Sequence, residues 1–132
     1  MSSAGSPLTM FCTTLIRFFE ELKDTFPEER DIKLALETIQ NAKKINPGLI
    51  RDMFYTHVTE PLREPILKED DAAIVSYAKT KIATQFNEML SAIHIFDKHW
   101  ATLSDDNREV IWKYLKVLVA LNLKARDSKN PY

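Results

Sequence analysis

The sequence predicts an all-α, single-domain protein, an irregular bundle of about five helices. Three observations carry that expectation. Glycine occurs only twice in 132 residues, at Gly5 and Gly48, whereas sheets and tight hairpins draw on glycine wherever a turn needs positive φ. In the stretch from Ser104 to Ala125, Val110, Ile111, Tyr114, Leu115, Val117, Leu118 and Leu121 recur at three- and four-residue steps, the spacing of a wide apolar helical face. Upstream, Val75, Ile82, Met89 and Phe96 fall seven apart, with Ala78, Phe86, Ile93 and Trp100 between them. That repeat suits a helix lying lengthwise on its neighbours.

Residues 1–6 read as a disordered lead-in to a helical domain over 7–125, with Ser6-Pro7 as N-cap and first helical position. From there Leu8, Phe11, Cys12, Leu15, Phe18, Phe19 and Leu22 define a first helix over 7–25. Phe26-Pro27 ends it, because the residue before a proline is pushed out of the α region. Pro27, Glu28 and Glu29 open the second helix, striped by Ile32, Ala35, Leu36, Ile39, Ala42 and Ile45. Asn46-Pro47-Gly48 breaks the chain and restarts it, with Asn46 as N-cap. The third helix carries Leu49, Ile50, Met53, Phe54, His57 and Val58 and stops near Pro61. Pro61 and Pro65 forbid an uninterrupted regular helix over 60–68 and predict a bend or short turn there. Glu69, Asp70 and Asp71 start the long segment over 70–101, whose weak helix formers Ser76, Thr80 and Thr84 mark 76–80 as the place for any break. The last helix, 104–125, is expected to lie against that long segment. Residues 126–132 read as a flexible tail.

Eighteen basic and nineteen acidic residues leave a net charge of −1. That argues against a dedicated duplex-DNA binder, which carries a basic excess. A local strip, Lys43, Lys44 and Arg51, stays in view as the nucleic-acid alternative. Cys12 is the only cysteine, so no intramolecular disulfide forms, in keeping with a reducing compartment. The N-terminal stretch lacks a basic region followed by an unbroken apolar run, and no stretch of about 18 apolar residues exists, so neither a secretory signal nor a membrane span is expected. The expected location is intracellular.

Catalytic and metal-binding patterns are weak. His94 and His99 stand five apart, which turns them about 140° from each other on a helix, whereas helical metal pairs use i,i+3 or i,i+4. Cys12 lies mid-helix among aromatic and aliphatic neighbours and reads as a small buried hydrophobe. The pairs Glu28-Glu29, Asp70-Asp71 and Asp105-Asp106 sit at helix starts, where the macrodipole accounts for them. No Glu-x-x-His motif, glycine-rich elbow or phosphate loop is present. The expectation is therefore a non-enzymatic protein without cofactor or metal, acting as an adaptor or small structural component that binds a protein partner or a second copy of itself. Trp112, Leu123 and Trp100 are its candidate contact residues, since exposed aromatics anchor interfaces; buried, the tryptophans anchor the core instead.

Three stretches carry a resemblance: Phe26-Pro27-Glu28-Glu29-Arg30-Asp31; Ile45-Asn46-Pro47-Gly48-Leu49-Ile50-Arg51-Asp52-Met53-Phe54, continuing through Val58, Pro61 and Ile66 to Asp70-Asp71; and Ile111-Trp112-Lys113-Tyr114-Leu115. In this order, from about Leu15 to Leu123, the chain resembles small α-helical proteins encoded by nucleocytoplasmic large DNA viruses. It departs from them at Ala72-Ala73, where an aromatic pair would follow the acidic turn. The resemblance implies a viral setting and an intracellular or virion location. It carries no activity and no functional residue.

Overall fold

A computed structural model describes the backbone of residues 6–84 and 88–129. All regular structure among these residues is helical: α1 (Pro7–Thr25), α2 (Arg30–Ile45), α3 (Pro47–Phe54), a π-helical turn (Tyr55–Thr59), α4 (Glu60–Leu67), α5 (Asp71–Thr84), α6 (Glu88–Lys98), a 3₁₀ turn (Trp100–Thr102) and α7 (Asp105–Lys129). The chain is a single-domain all-α bundle. The expected disorder of residues 1–5 and of 130–132 lies outside the described residues.

Side chains fix the helix starts. Ser6 Oγ accepts the Thr9 N–H at 3.0 Å, Asn46 Oδ1 that of Leu49 at 3.3 Å, Asp70 Oδ1 that of Ala73 at 3.2 Å and Ser104 Oγ that of Asn107 at 3.1 Å. Each such cap satisfies an orphan donor and contributes about 1 kcal/mol. The second helix begins later than expected: the Phe26 N–H still bonds Leu22 and the Glu29 N–H bonds Phe26, so Pro27 and Glu28 form the connecting turn and α2 opens at Arg30.

The proline-rich stretch is helical, against expectation. The chain runs from α3 through the π turn into α4, with Pro61 in the first turn of α4 and Pro65 inside it. The widened turn accommodates Pro61, which has no N–H to offer the carbonyl of His57. That carbonyl instead accepts the Tyr77 hydroxyl at 2.8 Å, from α5. The arm closes in a Schellman arrangement, the Asp70 N–H on the Pro65 carbonyl at 2.8 Å and the Glu69 N–H on that of Ile66 at 3.1 Å. Glu69 takes the left-handed position usually given to glycine, φ 54°. Lys116 of α7 grips its carboxylate at 2.6 Å.

The long segment is two helices, a further correction. A straight helix would carry Asp71 and Trp100 about 43 Å apart. Instead Trp100 Nε1 donates to Asp71 Oδ2 at 2.7 Å, and Lys79 lies 3.8 Å from Asp97. α5 and α6 therefore pack side by side, running in opposite directions, and α5 is continuous through 76–80, the place given for any break. The seven-residue repeat passes through Ile82 and Met89, whose side chains are outside the described set.

α7 lies chiefly along α1, not lengthwise on the 71–98 hairpin as expected. It meets the hairpin through an aromatic cluster: Phe96 and Trp100 stack at 4.3 Å between centroids, and Trp112 stands 5.4 Å from Phe96 and 5.2 Å from Trp100. α2 packs on α1 and α6, α3 on α1 and α2. Phe11, Leu15, Phe19, Ile39, Ile93 and Leu118 sit at the centre. Where a flexible tail was expected from residue 126, α7 continues to Lys129, and the Arg126 guanidinium stands 3.6 Å over the Tyr55 ring.

A buried amide ties three elements together. Asn122, wholly buried in the apolar run of α7, accepts the Thr59 hydroxyl at 2.8 Å and donates through Nδ2 to the Arg51 carbonyl at 3.0 Å. It fastens α7 to the π turn and to the helix before it.

Candidate functional site

α1 and α7 run antiparallel, Thr14 facing Val117 and Glu21 facing Val110. The core takes Ile111, Trp112, Leu115, Leu118, Val119 and Ala125 from α7. Apolar residues continue around the helix past that face, so some emerge on the outside. Val110 is 42% exposed, Val117 48% and Met10, one turn before Thr14 on α1, 45%. With Thr14, Lys113 and Tyr114, the two valines line a shallow groove of about 220 Å³ whose walls are almost wholly apolar. Tyr114 is half-buried and stacks on Phe18 at 5.2 Å, which gives the groove a rigid aromatic floor. Nothing in it resembles a reaction centre; it offers apolar contact bordered by charge.

The residues expected to meet a partner are placed otherwise. Trp112 and Trp100 are buried, 7% and 5% exposed, so neither is an exposed anchor. Trp100 is tied on three sides: its indole N–H to Asp71, its carbonyl to Arg108 Nε at 3.0 Å and Nη2 at 2.7 Å, and its ring to Phe96. Leu123 is half-buried and packed against the core. The two indole rings are consumed in joining α6 and its 3₁₀ turn to α7. The residues that do emerge, Val110 and Val117, belong to the stripe that the sequence assigned to the core face.

The basic strip does not form. Arg51 is buried, its Nε on Asp52 Oδ1 at 3.0 Å, with Arg126 3.8 Å from the same carboxylate oxygen. The guanidinium folds back over Gly48, where an added Cβ would come within 3.0 Å of its Nη2. Lys43 is half-buried and Lys44 exposed. Cys12, wholly buried, places its thiol 4.0 Å from the Pro47 carbonyl; burial pushes the thiol pKa up, with Lys43 and Arg51 opposing.

The fold brings together one group that spacing did not reveal. Glu28, Glu29 and His99 hold their ligand-type atoms within 4.8 Å of one another, a geometry that suits a divalent cation. The Glu29 oxygens are already engaged, Oε2 by His99 Nε2 at 2.8 Å and Oε1 by Lys98 at 2.9 Å. These bonds, that to His99 foremost, hold the Glu29 carboxyl below its usual range. His99 also stacks on Phe26 at 4.5 Å. The cluster thus closes the corner between the α2 start and the α6 end as an ion pair. It escaped the sequence because His99 lies 70 residues from Glu29 and both glutamates read as helix-start acids. His57 and His94 have pKa values lowered by burial, opposed at His94 by Asp31.

No helix among the described residues is long and apolar enough to cross a membrane. Fold and surface together define a class: a single-domain helical bundle with an apolar groove between its first and last helices. No protein-family model, curated protein or solved structure matches the chain.

Proposed function

We propose that this protein is a non-enzymatic interaction module, an adaptor or small structural component, whose docking surface is the α1/α7 face. The observation that carries this reading is the emergence of Val110 and Val117 beside the Tyr114 floor, with Met10 exposed one turn before Thr14 on α1. Clustered exposed apolar residues edged by charge are the composition of a protein interface, whereas scattered single hydrophobes need no explanation. Leu34 on α2, 59% exposed, is such a single residue. The resemblance to proteins of large DNA viruses sets the partner, on this proposal, inside an infected cell or in a virion.

A photo-crosslinking residue placed at position 117 tests it in the source system, with the same residue at position 34 as control. Specific adducts are expected at 117 and not at 34. Indistinguishable products from the two positions would overturn the reading.

A further inference from the structure

We propose that the occupant of this face is the same face of a second copy, laid antiparallel about a two-fold axis; the inference rests on the α1/α7 face being a docking surface. Eighteen residues make five turns of an α-helix, so Asp106 and Lys124 share one azimuth on α7. Between them, on the same line, stand Val110, Lys113, Val117 and Ala120, and all six are exposed. The steps along this line, four, three, four, three and four residues, read the same in both directions. A two-fold axis at the midpoint therefore sets Asp106 against the second copy's Lys124, Val110 against Ala120 and Lys113 against Val117. The small Ala120 leaves room for the valine, and the Lys113 stem covers Val117 while its ammonium reaches the rim.

Charge decides both the occupant and the direction. The exposed beginning of α7 carries Asp105, Asp106 and Glu109, beside Glu20, Glu21 and Asp24 at the end of α1; the far end of the stripe carries Lys124, with the exposed Asp127 one turn beyond it. Antiparallel pairing sets each Asp106 on a Lys124, whereas parallel pairing sets the acidic ends together and is penalised. The contact is isologous, so it closes at two copies. Its extent, about 27 Å along the helix and roughly two helix diameters across, buries on the order of 1,000 Å² in total, the lower bound for a specific interface. The dimer is accordingly weak, concentration-dependent and sensitive to salt.

Sedimentation velocity over a dilution series tests this on the full chain. Concentration-dependent dimer is expected. Asp106→Lys and Lys124→Asp should each raise the dissociation constant roughly tenfold, since two rim pairs are lost and like charges brought together. The double variant Asp106→Lys/Lys124→Asp should restore association to near the wild-type value. Both positions are exposed, and circular dichroism is the check that each variant folds. A dimer untouched by either reversal, or two weakened single variants that the double fails to rescue, would overturn the arrangement. A strict monomer whose position 117 still crosslinks other proteins would sink the self-pairing and leave the docking surface standing.

Discussion

Replacing Asn122 by alanine should loosen the protein at the point where α7 is fastened. The Arg51 carbonyl keeps the Tyr55 N–H as donor, so the loss there is one ordinary hydrogen bond, about 1 kcal/mol. The Thr59 hydroxyl, 1% exposed, loses its acceptor in a dry interior, which costs roughly 1–2 kcal/mol. The void left by the amide adds on the order of 1 kcal/mol. Asn122→Ala should therefore cost about 3–4 kcal/mol and lower Tm by roughly 10–15 °C for a domain of this size. Asn122→Asp keeps the volume but turns a donor into an acceptor facing the Arg51 carbonyl. It should be destabilised at neutral pH and recover in part when the carboxyl is protonated. Urea denaturation read by circular dichroism measures both, and a cycle with Thr59→Val should show about 1 kcal/mol of coupling between the two side chains. An Asn122→Ala variant within about 1 kcal/mol of wild type, with no coupling, would refute the assignment of this pair as the fastening of α7.

Leu118 and Ile93 are fully buried in the central core, and truncating either to alanine should cost roughly 2–5 kcal/mol; thermal melts that resolve no shift for both would contradict their placement. Tyr77→Phe removes the donor to the His57 carbonyl and should cost about 1–2 kcal/mol, a loss that chemical denaturation either registers or rules out. His57 and His94 titrate below 6.5 and Glu29 below 4.5 in the folded protein, so each binds fewer protons folded than unfolded. Stability should be full above the ordinary histidine pKa, fall as pH drops through it, and fall again below the usual glutamate range. His94→Gln should flatten the first step, and a Tm equal at about pH 5 and about pH 7.5 would count against it.

Local chemistry was readable in the sequence wherever a single residue decides the backbone. Ser6 and Asn46 cap helices as their place before a proline suggests, and Asp70 and Ser104 cap the helices that open at the acidic starts of 70–101 and 104–125. Where tertiary contacts decide, it was not. Positions 85–87 include neither glycine nor proline, so the seven-residue pattern ran straight from α5 into α6. Pro61 looked like a break because the Tyr77 hydroxyl that takes up the His57 carbonyl comes from another helix, and the π turn that admits the proline has no spacing of its own. Arg51 looked like a free cation until Asp52 and the packing around Gly48 enclosed it. The groove residues Val110 and Val117 share a helical stripe with core residues, and only the position of α1 determines which side of that stripe meets solvent.

The pairing of α1 with α7 has a consequence for biosynthesis. The ribosome delivers α1 long before α7, so the phenylalanine-rich side of the first helix waits without its main cover until the last one emerges. Folding of the whole is gated by that late arrival, and a nascent chain stalled ahead of α7 should be held by chaperones and cut readily by proteases.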